Sequence, residues 1–337
     1  METINTKNMD KKLKNIYDVI DNNTRQWTIK VKNTLWRNKE STNSYSFDIK
    51  GLNNNDKLEQ ISDYLKKIFN ISTSKEIEAF DRAITQVCSG YGNEAEKITV
   101  LRSSSLCCLL FFYNISINPI SIDCGNKKVI FNKAFFEVNN DVIKKPSNVD
   151  VVLISNDLKT ILFLESKFAE YYLDNGAIKV SKSYLEHEIS KVFYSSEVMK
   201  KFGFTIKTDD TEEFTVDSDN NILKKNKSYV EGIKQMVSHY IGINNFLGKT
   251  EKTIESKNDK ITLSDDVNIY LGEVLFDFPQ NTEMSAYLED YKEKYKILTE
   301  NLKQNKNITL LSNILLYSSF KDNLSNAISQ FYYGIKT

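Results

Sequence analysis

Three residues form a set that could do chemistry: Asp150 in PSNVDVVLIS, and Glu165 and Lys167 in TILFLESKF. Glu165 and Lys167 are two apart, so on a strand both side chains leave one face and Ser166 leaves the other. Asn156 and Asp157 punctuate the two apolar runs, which therefore read as a hairpin that lays Asp150 alongside Glu165. Two carboxylates at that separation suit Mg²⁺, which takes oxygen ligands and keeps several waters. Such a cation stabilises charge on a phosphoryl oxygen and can activate water. A neighbouring lysine can orient or deprotonate that water and offset negative charge. Phosphodiester hydrolysis needs these parts. The competing reading is a solvated Glu–Lys pair on an ordinary strand. Against it, Phe163, Leu164 and Phe168 surround the pair, and charges placed in a buried strand are costly unless paired or liganded.

The elements that must position this set follow from periodicity. GNEAEKITVLRSSSLCCLLFFYNI reads as a buried helix entered by a polar turn. KVIFNKAFFEV, VDVVLIS and TILFLESKF are rich in β-branched and aromatic residues and read as three strands. Helical patterns return in SYLEHEISKVFYSSEVMKKF, and polar residues 209–228 read as an insertion loop or hairpin. YVEGIKQMVSHYIGINNFL is a helix with Val230, Ile233, Val237 and Ile241 on one face. Residues 250–265 look loop-like, and VNIYLGEVLFDF reads as a buried strand. The order α-β-β-β-α-β predicts an α/β fold with a mixed sheet flanked by helices, and it excludes a plain bundle or an all-β sandwich. Residues 1–85 read as a helical or mixed N-terminal region, 86–280 as the core with an insertion at about 190–228, and 281–337 as a helical C-terminal extension that includes one strand-like segment.

Composition narrows the class. The chain has 337 residues, with 45 Lys+Arg against 45 Asp+Glu, so no global basic field advertises a nucleic-acid partner. Arginine occurs only at 25, 37, 82 and 102, which leaves little for bidentate readout of guanine. Lysines can still neutralise phosphates from a local patch. Eleven Gly and three Pro exclude collagen-like and linker-like chains. Cys88, Cys107, Cys108 and Cys124 show no CxxC spacing and read as reduced core thiols. The polar start METINTKNMDKKLK lacks a signal-peptide apolar region. The most apolar run, Leu106 to Ile117, is shorter than the roughly 20 residues of a membrane span. The expectation is a cytoplasmic protein with no membrane partner.

The strand order, together with Asp150 and the Glu165-Ser166-Lys167 triplet, resembles the PD-(D/E)XK nuclease superfamily. The likeness is closer to its bacterial restriction-endonuclease-like members. Those carry similar runs, which here read Gly92-Asn93-Glu94, Ser103-Ser104-Ser105, Pro146-Ser147-Asn148-Val149-Asp150, Glu165-Ser166-Lys167-Phe168, and Tyr229 through His239. The resemblance spans roughly residues 88–276. It implies a restriction-endonuclease-like core and Mg²⁺-dependent cleavage of DNA, with Mn²⁺ as a substitute. The implied partner is nucleic acid, foremost double-stranded DNA; a homodimer is left open. It makes Asp150 and Glu165 metal ligands, the Ser166 carbonyl a third oxygen, and Lys167 the catalytic lysine. It adds Glu94 to the metal site, with Glu96 as the rival position and a helix-start carboxylate as the plainer reading. It sends Gln235 to the active site, although helical periodicity turns that residue away from the apolar face. The proline of the motif name stands four residues before Asp150 rather than next to it. His187 and His239 lack cysteine neighbours and make no zinc site; both read first as core or surface histidines, although His239, one turn after Gln235, could face the same cleft. Tyr171, Tyr172 and Tyr184 read as packing aromatics that could alternatively stack on a base. The other class of function is a catalytically silent module binding nucleic acid or protein on the same fold.

Overall fold

The computed structural model describes residues 22–31, 35–37, 45–47, 49, 56–89, 97–143, 146–168, 178–202, 204–208, 213–218, 227–277, 282–302 and 305–334. A short antiparallel pair, β1 (Leu35–Arg37) with β2 (Tyr45–Phe47), precedes a central mixed sheet. Strands β3 (Ile120–Cys124), β4 (Lys127–Asp141), β5 (Pro146–Ser155) and β6 (Thr160–Lys167) run antiparallel in sequence order. The next strand, β12 (Asn268–Leu275), lies parallel to β6, and β13 (Ile308–Leu310) and β14 (Leu315–Leu316) lie parallel to β12. All eight residues of β6 are buried, and its apolar run Ile161–Leu164 suits a strand covered on both faces.

Alternation along β6 assigns the covering helices to opposite faces. Phe163 meets Phe246 of the helix Lys227–Leu247 edge to face, with ring centroids 6.1 Å apart. Ser166, three residues on and so on the other face, meets Tyr317 of the 3₁₀ segment Tyr317–Asn323. The Tyr317 ring lies 4.4 Å from Phe111 and 5.9 Å from Phe112, both in the helix Ser104–Phe112. That helix starts where Ser103 accepts from the Leu106 amide, an N-cap that ends the polar approach.

Elsewhere the structure departs from the sequence reading. Ile120–Cys124 adds a strand before the three expected, and the 250–265 stretch contains a hairpin, β10 (Thr253–Ser256) with β11 (Asp259–Thr262). Only Ile254 and Ile261 carry its apolar side, too little alternation to read as a strand. The helical stretch after residue 182 is three short helices, Ser183–Glu186, Glu188–Phe193 and Ser196–Lys201. Beside them stands a three-stranded sheet with β9 (Glu213–Ser218) between β7 (Ile178–Ser181) and β8 (Phe204–Thr208). Within 281–337, β13 and β14 extend the central sheet where the sequence reads as one strand-like segment. The terminal regions also pack on each other: Trp27 lies 5.3 Å from Phe69 and 5.2 Å from Phe331, ring to ring.

Candidate active site

The hairpin β5–β6 pairs Val151 with Leu164. One further step of that register sets Asp150 opposite Glu165, at the end of the ladder. There the Ser166 amide donates to Asp150 Oδ2 over 2.7 Å. Asp150 Oδ1 has no hydrogen-bond partner among the described residues. Lys167 Nζ donates to Glu165 Oε1, as their shared strand face requires. Asp150 is half-buried, whereas Glu165 is 1% exposed. Ser166 points away, its hydroxyl 2.7 Å from that of Tyr317.

A residue read from sequence first as a core or surface histidine completes the picture. His239 Nε2 lies 2.6 Å from Glu165 Oε2, and Nδ1 lies 3.3 Å from Ser147 Oγ. The two ring nitrogens of His239 thus bridge the Glu165 carboxylate and the Ser147 hydroxyl. The helix Lys227–Leu247 can come this close because of Gly242, less than one turn after His239. A Cβ on Gly242 would stand 2.8 Å from Asn140 Cβ of β4. The expected apolar face is therefore only part of what the helix buries. Val237 and Ile241 are buried, but so are Ser238, His239 and Tyr240 between them.

Electrostatics separates the two carboxylates. Burial alone would push Glu165 up, but Lys167 and His239 outweigh it and hold the carboxyl at about 2. Asp150 goes the other way: burial, then the charges of Glu165 and Glu137, raise it well above its usual range, against a smaller opposing pull from Lys167. Glu137 belongs to β4, whose neighbours Phe136 and Val138 pair with Val151 and Val149, so it sits across from Asp150. Its backbone is left-handed at φ 51°, an uncommon conformation for a non-glycine residue. Its carboxylate accepts from Asn148 Nδ2 over 3.1 Å. On the far side of Glu165, its register partner is Glu273 of β12, fully buried, which accepts from the Tyr291 hydroxyl at 3.0 and 2.8 Å. The row Glu137, Asp150, Glu165, Glu273 crosses four strands. Sequence reasoning missed both ends of it, since each depends on pairing between strands far apart in the chain.

The remaining candidates divide. Gln235 is one turn before His239 on the same side of the helix and is half-buried. It makes no hydrogen bond to Asp150, Glu165 or Lys167. Glu94, the rival Glu96, Tyr171 and Tyr172 lie outside the described residues. His187 accepts from the Ile189 amide as a helix N-cap, and the Tyr184 hydroxyl bonds Ser238; both are structural contacts.

The donor set fits a hard divalent cation. Asp150 and Glu165 offer carboxylate oxygens, and Asp150 Oδ1 is uncommitted. Among the described residues no three His, Cys, Asp or Glu side chains form a preassembled metal cage. Mg²⁺ is commonly held by one or two carboxylates plus water and substrate phosphate, so two suffice for that ion and not for structural zinc. Comparison with protein-family models, with curated proteins and with solved structures finds no match to this chain.

Proposed function

We propose that the chain is a Mg²⁺-dependent phosphodiesterase that cuts double-stranded DNA as an endonuclease of restriction or defence type, with Mn²⁺ able to substitute. One observation carries the reading. Two carboxylates, Asp150 and Glu165, meet at the end of the β5–β6 ladder beside Lys167, and burial, then the charges of Glu165 and of Glu137 across on β4, drives Asp150 well above its usual range. A divalent cation is the simplest group that offsets such an excess. Asp150 and Glu165 would hold it, with the Ser166 carbonyl as a third oxygen and Glu94 as a further ligand. When bound, the cation supplies charge stabilisation at the phosphoryl oxygens. Lys167, released from Glu165, would as the ammonium orient the attacking water and offset charge on the phosphate, or as the neutral amine take up the water's proton. Gln235, half-buried one turn before His239, would orient substrate or water and could supply no charge. The resemblance read from the sequence, and the arrangement of β4, β5, β6 and β12 around Asp150, support this assignment. The proposed setting is cytoplasmic; no helix among the described residues is long and apolar enough to cross a membrane.

A second reading draws on one fact: both oxygens of Glu165 are already engaged, by Lys167 and His239. A catalytically silent module binding nucleic acid or protein would leave that ion pair intact. Incubating purified protein with plasmid, linear duplex, single-stranded DNA and RNA, with and without Mg²⁺ or Mn²⁺, separates the two. Metal-dependent nicking of plasmid supports the nuclease. Binding without cleavage under every condition favours the module. Because the net charge is zero, affinity should weaken only gently with salt; a log–log slope near −10, the scale of many phosphate contacts, would contradict a local contact patch.

A further inference from the structure

We propose that His239, resting on the cation-site reading above, is the positioning residue that sets the carboxylate of Glu165 for the metal. Glu165 has two oxygens and two partners. Lys167 holds Oε1 from the same strand, and His239 holds Oε2 over 2.6 Å from a separate helix. The two partners differ in what they can do. Lys167 reaches its contact on a flexible four-carbon stem and can swing away. His239 is 1% exposed, with its other ring nitrogen facing Ser147 Oγ at 3.3 Å. Its helix is seated on β4 at Gly242, where a Cβ would approach Asn140 to 2.8 Å. The imidazole is thus fixed by packing on one side and by a hydrogen bond on the other. A cation bound with Asp150 must take an oxygen from Glu165, and the one it can take is Oε1, in exchange for the lysine. Oε2 stays on His239. The histidine therefore keeps the carboxylate plane in place while the cation replaces Lys167, and the displaced ammonium becomes available for the reaction. Outer partners that orient metal ligands in this way change metal affinity by about 10–100-fold when removed.

The test reads the metal alone. Mn²⁺ binding to the full chain is measured by equilibrium dialysis or by the loss of its free-ion electron paramagnetic resonance signal, beside thermal melts of each variant. His239→Ala should bind Mn²⁺ about 10–100-fold more weakly while still melting cooperatively. His239→Gln, whose amide can donate to Oε2, should recover most of the affinity. Ser147→Ala should weaken binding by a few-fold, because the ring loses its second anchor. Wild-type affinity in a folded His239→Ala variant overturns the positioning role and leaves the metal site standing. If the wild-type chain binds no Mn²⁺, the cation-site reading falls, and this role with it. Should His239→Ala fail to fold, Ser147→Ala decides: a few-fold loss of Mn²⁺ affinity supports the role, and wild-type affinity overturns it.

Discussion

The two faces of β6 solve opposite problems with adjacent residues. On one, Glu165 and Lys167 are a buried ion pair capped by His239, next to a second carboxyl that burial and like charge hold far above its usual range. On the other, Ser166 places a single hydroxyl against Tyr317, among the rings of Phe111 and Phe112. There burial pushes the thiol of Cys108 well up, so it stays neutral. Tyr317 is delivered by a 3₁₀ segment that Asp277 pins to the end of β12, accepting from the Ser318 amide at 2.9 Å and hydroxyl at 2.6 Å. The second face is an aromatic core in which the Ser166–Tyr317 hydroxyl pair is satisfied. The first concentrates charge where a purely structural protein would place apolar side chains, since a buried pair is often no better than a hydrophobic replacement. Polarity kept at that cost marks the face on which function is to be sought.

The contrast breaks most sharply at Lys167 and Asp150. Lys167→Ala should lower cleavage by about 10²–10⁴-fold while retaining Mn²⁺ binding, because the carboxylate ligands remain; single-turnover kinetics beside a binding titration reads both. Asp150→Asn should abolish cleavage and yet melt at or above the wild-type temperature, since it removes the charge that its surroundings oppose. Glu165→Ala should also be inactive but behave differently in the melt. It strands Lys167 and His239 in a buried site, and loss of one partner of such a pair costs about 3–5 kcal/mol. Equal stability of the Asp150 and Glu165 variants would mean that the two carboxylates are not electrostatically distinct.

Smaller effects sharpen the same comparison. Gly242→Ala should cost about 1–3 kcal/mol as an overpacked contact, and should reduce activity by lifting His239 from Glu165. Stability against pH should show two opposed contributions. Glu165 titrates at about 2 when folded against an ordinary 4.5, so its contribution is full above 4.5 and is lost as pH falls toward 2. Asp150 is raised from 3.8, so its contribution is full below 3.8 and is lost as pH rises through its folded value. Melts of wild type and Asp150→Asn from pH 3 to 8 should therefore diverge in favour of the variant toward neutral pH. Gln235→Ala should cost less activity than Lys167→Ala. Least of all, Tyr317→Phe should cost about 1 kcal/mol for one buried hydrogen bond and leave cleavage close to wild type. A large activity loss there would make the aromatic face part of the machinery.

The sequence alone determined what is local. The alternation of TILFLESKF put Glu165 and Lys167 on one face and Ser166 on the other, because strand side chains alternate with period two whatever surrounds them. The turn at Asn156-Asp157 made the hairpin, and the hairpin brought Asp150 to Glu165, since both contacts form within sixteen residues. The tertiary structure decided the rest. His239 reaches Glu165 across 74 residues of chain and Tyr317 reaches Ser166 across 151, and a lone histidine or tyrosine on a buried element carries no mark of its partner. Glu137 and Glu273 join the row only through register with strands on either side. The left-handed backbone at Glu137 is invisible in a residue type that rarely adopts it. The strands at Ile308–Leu310 and Leu315–Leu316 fall in a segment whose sequence reads as strand-like, but their pairing is tertiary, because the edge of β12 offers amides and carbonyls that must be satisfied.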